Sequence, residues 1–261
     1  IKHPDVRRML MNQKAHAEGM RALVYYTGWV QDQEVLHPDD ERWRKLDDLL
    51  LPMVKGYSSE KAYELLAQSL QVFGGSGFTS DYPIEQYIRD AKIDTVYEGT
   101  TGIQALDLFF RKIARDRGET LTWLAGKITE TVKGGGAEDV FVAERELLGK
   151  ALDDAQGQVG VMVGALFASQ EQPAELHKIG LHATSLLDTL SELVIGWLLL
   201  RHAEVAHAAL DGAAPADRDF YEGKIASARY FARTVLPKAG LRRSLAEQED
   251  LALMDIEDSV F

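Results

Sequence analysis

Apolar residues recur at helical spacing along almost the whole chain, and no segment alternates as a half-buried strand does. Val6, Met9, Leu10, Ala17, Met20, Val24 and Thr27 fall on steps of three, four or their sums. Ala62, Leu65, Leu66, Ser69, Leu70 and Phe73 repeat the pattern, as do Ile103, Leu106, Phe110 and Ile113. Phe141, Leu148, Leu152, Ala155, Val159, Met162 and Leu166 carry it into the second half. A long segment from Ala174 to Leu210 follows Pro173, a residue suited to an early helix position. Another runs from Arg218 to Leu236 and stops before Pro237. Val72-Phe73 and Thr95-Val96-Tyr97 are too short for strands. The pattern predicts an all-α chain of packed antiparallel helices.

Turn residues divide the chain. His37-Pro38-Asp39-Asp40 opens a polar connection, and Asp39 or Asp40 is placed to cap a helix starting near Glu41. Asp39-Asp40-Glu41 and Asp47-Asp48 read as solvated caps. Gly74-Gly75-Ser76-Gly77 breaks the third helical stretch, and Gly99 and Gly102 bracket a turn. Lys133-Gly134-Gly135-Gly136 reads as a linker and Arg117-Gly118 as a second boundary. Residues 1–117 carry 16 basic and 18 acidic side chains, whereas residues 118–261 carry 13 and 23. Two units are therefore expected, a helical bundle over 1–117 and a helical extension over 118–261. The net charge of -12 belongs mostly to the second and argues against a nucleic-acid partner. The absence of cysteine excludes disulfides, thiol nucleophiles and cysteine-based metal sites. The longest strongly apolar run, Leu193 to Leu200, falls well short of the roughly 20 residues of a membrane span. No signal-peptide pattern opens the chain, which starts at Ile1 inside a helical pattern and suggests a missing upstream segment.

Few residues offer chemistry. His177 and His182 are five apart, as are His202 and His207, so neither pair shares a helix face and no metal site is expected. Gly157, Gly160 and Gly164 line one side of a helix, which suggests close helix packing. Gly74-Gly75-Ser76-Gly77-Phe78 lacks the spacing of a dinucleotide fingerprint or a nucleophile elbow. Two readings stay open for it: a helix C-cap with a turn, or a backbone that a phosphate can approach closely. In Val96-Tyr97-Glu98-Gly99-Thr100-Thr101-Gly102-Ile103-Gln104, Thr100 or Thr101 is placed to cap the next helix. Glu98 has apolar Val96 and Tyr97 beside it. It reads either as a partly desolvated base or as a carboxylate favoured by a helix N-terminus.

These segments, together with Asp81-Tyr82-Pro83-Ile84-Glu85 and Arg89-Asp90-Ala91-Lys92-Ile93, resemble the C-terminal signature of the acyl-CoA dehydrogenases, with matching spacing from Gln71 to Gln104. The continuation Glu98 to Leu108 is similar to the long bacterial members, mycobacterial fatty-acyl-CoA dehydrogenases among them, which carry an extra C-terminal helical domain. Residues 118–261 fit that extension in position, length and helicity.

The resemblance implies FAD-dependent oxidation of an acyl-CoA thioester to the trans-2-enoyl-CoA in fatty-acid β-oxidation. Glu98 matches the base that removes the α-proton, and its N–H matches a donor to the thioester oxygen. Tyr97 would line the thioester side, and Gly99 would give it room. Gln71, Gly74 and Gly75 match positions that hold the FAD pyrophosphate, usually of a neighbouring subunit. Thr100 matches a flavin-binding threonine, and Gln104 matches the cofactor-binding pattern. Gly102 departs from shorter members, which place Gln or Glu there.

The N-terminal helical domain and the middle β domain of the family are absent from this chain, so alone it is expected to be colourless. A homodimer, electron-transfer flavoprotein as acceptor, and a cytoplasmic or peripheral membrane location also follow from the resemblance. Three other readings remain: a 3-methylthiopropanoyl-CoA dehydrogenase, an oxidase of the same fold, and a helical interaction module without catalysis.

Overall fold

The computed structural model describes residues 1–136 and 139–261, and no strand occurs among them. The all-α expectation holds. Helices α1 (Pro4–Leu36), α2 (Glu41–Pro52), α3 (Ser58–Phe73), α4 (Ile84–Ala91) and α5 (Thr101–Asp107) form the first half. Helices α6 (Glu119–Lys133), α7 (Val142–Ala168), α8 (Leu176–Ala209), α9 (Pro215–Thr234) and α10 (Lys238–Glu247) form the second. A π-helical turn, Met53–Tyr57, joins α2 to α3, and another, Leu108–Ala114, continues α5.

Local chemistry sets several ends. Pro4 occupies the first turn of α1, where its missing N–H costs nothing. The Asp40 carboxylate accepts from the Arg42 N–H and caps α2, as expected. Asp47 and Asp48 are not caps. They lie inside α2, where Gln31 donates to Asp47 and Lys112 to Asp48. Gly102, expected to flank a turn, lies in the first turn of α5.

The core is organised around α8. Every residue from Thr189 to Leu200 is buried, as befits a helix that is apolar on all sides. Helices α1, α5, α7, α9 and α10 and the first π turn all pack on it. The segment Pro173–Gly212 is long and apolar enough to cross a membrane, a length the eight-residue run did not reveal. Neighbouring helices nevertheless bury 83% of its apolar window, so this apolarity builds the core. At two points the packing needs glycine. A Cβ on Gly19 of α1 would collide with Ile195, and one on Gly196 would lie 2.8 Å from Leu236 Cδ2.

One apolar core runs across residue 117. Leu23, Leu46 and Phe109 belong to the same buried cluster as Leu148, Ile195 and Phe231. The four tryptophans add a second seam between the halves. Trp197, Tyr26, Trp29, Trp43 and Trp123 form a run of ring contacts with centroids 5.3 to 5.7 Å apart. The glycines of α7 correct one expectation. Of Gly157, Gly160 and Gly164, only Gly157 is closely approached, by the Arg243 side chain, while the other two face open space.

A buried polar cluster anchors the first π turn to the extension. The Tyr57 hydroxyl, in that turn, donates to Glu192 Oε1 at 3.4 Å. Arg242 donates to the other Glu192 oxygen at 2.6 Å and lies 3.6 Å from Asp188. Burial pushes the Asp188 carboxyl up to about 6; Arg242 opposes the shift and Glu192 adds to it. A carboxyl whose folded pKa lies above its unfolded value favours folding when protonated. That contribution is present below about pH 4 and is lost as pH rises towards 6. Asp188→Asn is therefore expected to flatten this loss. Its denaturation midpoint should exceed that of the parent at pH 7 and converge with it near pH 4, whereas parallel curves would contradict this assignment.

Candidate active site

The Glu98 turn is built by three elements. The first is the π turn after Pro52. Proline has no N–H to give to the carbonyl four residues earlier, and the wider turn follows directly. It carries Lys55 and Gly56 towards α5. A Cβ on Gly56 would sit 2.7 Å from Leu187 Cδ2 of α8 and 3.3 Å from Gln104 Cβ of α5, so a side chain here would crowd both helices.

The second element is the 3₁₀ turn Lys92–Thr95, whose Ile93 carbonyl accepts the N–H groups of both Val96 and Tyr97. The chain then enters the left-handed region at two successive residues, Glu98 with φ 55 and Gly99 with φ 91. For Gly99 this is easy; for Glu98 it is strained and must be held by its surroundings. The third element is α5. Its N-cap residue, Thr100, is extended, and neither threonine hydroxyl caps the helix. Thr101 Oγ1 instead donates to Glu60 Oε1 at 2.6 Å, which ties α5 to α3 and corrects the capping expectation.

Two side chains grip the strained pair. Gln104 Nε2 donates to the Glu98 carbonyl at 2.9 Å, and Lys55 Nζ donates to the Gly99 carbonyl at 2.6 Å. The Lys55 ammonium also lies 5.9 Å from the Tyr97 ring centroid. The Glu98 N–H has no acceptor among the described residues. The Glu98 side chain is exposed, and Val96 and Tyr97 are about half exposed. The expected desolvation of Glu98 by these neighbours is therefore absent from this chain. What the turn offers is a carboxylate and a free N–H on one residue of fixed backbone.

The structure thus brings Tyr97, Glu98, Gly99, Thr100 and Gln104 together in one turn. Gln71, Gly74 and Gly75 sit elsewhere, at the far end of α3. Its 16 residues separate them from the π turn by roughly 24 Å of helix rise. There Gly74 ends α3 with φ 61, and a 3₁₀ turn follows over Gly74–Phe78. This is the C-cap reading of the glycine run. A Cβ on Gly74 or Gly75 would meet nothing within 4 Å, so the backbone is also open to a ligand. Gly77 is different: its Cβ would lie 2.9 Å from the Leu70 carbonyl oxygen, which makes it a packing glycine. Lys55, Gly56 and Glu60 escape the sequence reading. Only Gly56, isolated in a helical stretch, signals a special contact there.

Comparison with known proteins gives the family. Residues 1–111 match the family model for the acyl-CoA dehydrogenase C-terminal domain. Residues 124–257 match the model described as acetyl-CoA dehydrogenase C-terminal like. The chain belongs to the acyl-CoA dehydrogenase family, of which these two models describe C-terminal helical parts. Among curated relatives it is 51% identical to the broad-specificity linear acyl-CoA dehydrogenase FadE5 of Mycobacterium tuberculosis, over 99% of this chain and 43% of that protein. It is 36% identical to the 3-methylmercaptopropionyl-CoA dehydrogenase of Ruegeria pomeroyi, over 94% of this chain and 41% of that protein. The chain thus spans about two fifths of the length of these relatives. An acyl-CoA dehydrogenase from Bacillus anthracis, solved with FAD, superposes with a TM-score of 0.70 at 18% identity, over 97% of this chain and 44% of that one. Caenorhabditis elegans ACDH-11, solved with C11-CoA, gives 0.64 at 18%, over 96% of this chain and 41% of that one. These two likenesses establish the fold.

Proposed function

We propose that the chain is the part of an FAD-dependent acyl-CoA dehydrogenase that carries the catalytic base. The reaction is α,β-dehydrogenation of a straight-chain acyl-CoA to the trans-2-enoyl-CoA. The observation that carries this reading is the Glu98–Gly99 turn. Its two carbonyls are occupied by Gln104 and Lys55, leaving the Glu98 N–H and carboxylate free side by side. The N–H polarises the thioester oxygen, and the carboxylate takes the α-proton that this polarisation makes acidic. The small Gly99 leaves room for the thioester, and Tyr97 lines its side.

Gln71 and the open backbone of Gly74 and Gly75 fit a pyrophosphate, and Thr100 and Gln104 fit the flavin end. Bound FAD supplies the acceptor for the electron pair of the β-hydrogen. The 51%-identical relative is a linear acyl-CoA dehydrogenase, which favours linear acyl groups over 3-methylmercaptopropionyl-CoA. A homodimer, electron-transfer flavoprotein as acceptor, a cytoplasmic location and a boundary at Arg117-Gly118 belong to the same proposal. The boundary is supported by consecutive left-handed residues there.

The test is the full-length protein, purified and given a straight-chain acyl-CoA and an artificial electron acceptor. It should hold stoichiometric FAD and reduce the acceptor only when acyl-CoA is present. A full-length protein without flavin and without acyl-CoA-dependent reduction would remove the reading.

A further inference from the structure

The grip on the Glu98 turn has a member that neither its sequence pattern nor the comparisons assign. We propose that Lys55 is a positioning residue: its ammonium, bonded to the Gly99 carbonyl, fixes the backbone from which the base and the oxyanion donor project. This rests on the reading of Glu98 as the base.

Three independent features point the same way. First, the strain needs a holder. Glu98 at φ 55 is a non-glycine residue in the left-handed region, and such a residue persists only when its surroundings over-determine it. Gln104 secures the carbonyl on one side of Gly99 and Lys55 the carbonyl of Gly99 itself, so the pair is clamped at both peptide units. Second, the Lys55 bond is charge-assisted and half-buried, the stronger kind of hydrogen bond, where Gln104 offers a neutral donor. Third, the aim of Lys55 is built in. It lies on a π-helical turn, the irregularity that re-phases side chains and recurs at functional sites. That turn is anchored by Tyr57 on the buried Glu192–Arg242 pair and brought against Gln104 by the lack of a side chain at Gly56. The clamp therefore reaches from the extension, through the π turn, to the base. The ammonium also faces the Tyr97 ring, which steadies the residue preceding the base.

The experiment uses full-length protein with Lys55→Met, Lys55→Arg and Glu98→Gln. Lys55→Met keeps the length of the side chain and removes the donor. It should lower kcat by about 10- to 100-fold while changing KM for acyl-CoA by less than about threefold, the pattern of a misplaced catalytic group. Flavin content should be unchanged. Backbone amides from Glu98 to Thr100 should exchange with deuterated solvent faster than in the parent, a readout independent of turnover. Lys55→Arg, which retains an N–H donor, should recover most of the rate and the slow exchange. Lys55→Met with parental kcat and parental exchange overturns the proposal, as does loss of flavin or of the fold that Lys55→Arg fails to restore. Glu98→Gln separates the two levels. If it is as active as the parent, the reading of Glu98 fails; if it is inactive while Lys55→Met is fully active, the positioning role alone fails.

Discussion

Glu98→Gln in the full-length protein is expected to lower kcat by at least about 10²- to 10⁴-fold, the usual contribution of a positioned general base. The substitution keeps the size of the side chain and leaves the backbone N–H in place. Glu98 is exposed, and its side chain makes no hydrogen bond or ion pair among the described residues, so stability should change by no more than about 0.5 kcal/mol. Flavin content and acyl-CoA affinity should therefore survive while proton abstraction is lost. Steady-state assays with matched flavin content check this. A variant retaining full turnover would show that the carboxylate has no part in the chemistry.

The second large effect is on stability and lies far from the turn in sequence. Arg242→Met is expected to destabilise the chain by about 3–5 kcal/mol, the usual cost of breaking a buried ion pair on one side. Glu192 is only 2% exposed, and without Arg242 its carboxylate would retain no charged partner except Asp188, which carries the same sign. The Tyr57 hydroxyl alone cannot compensate a buried charge. The double variant Glu192→Leu/Arg242→Met should regain most of the loss, because an apolar pair can replace a buried ion pair with little net cost. Chemical denaturation monitored by helical content checks both. Equal midpoints for the parent and Arg242→Met would show that the pair is not structurally coupled to the fold.

What is legible from sequence follows a physical divide. Helices α1, α3, α7 and α8 are legible because apolar spacing repeats over several turns. Helix α6 was not separately legible, since it lies between two segments that read as linkers, and α10 lies hidden behind Pro237. The π turn at Met53–Tyr57 has no periodic signature, because it inserts one residue into a helix that otherwise continues. The Glu98 segment was legible because its parts are contiguous and their spacing is itself the signal. Lys55 was not, because it lies 44 residues away from Gly99 in the chain and reaches it only through the π turn. Of the two readings of Glu98, the desolvated one fails for a similar reason. Apolar neighbours in sequence do not bury a side chain unless something packs over them, and here Val96 and Tyr97 are themselves half exposed. In α7, spacing alone could not show which glycines face a neighbour.

Removal of the α-proton by the Glu98 carboxylate can be measured directly. The most direct measurement is deuterium entry at the α-carbon of a straight-chain acyl-CoA incubated anaerobically in D₂O with full-length protein and no electron acceptor. A base that takes the proton and returns one from solvent should place deuterium at that carbon in the parent enzyme. In Glu98→Gln of equal flavin content, the α-carbon should stay unlabelled over the same period. Equal labelling by the parent and the variant would contradict the account.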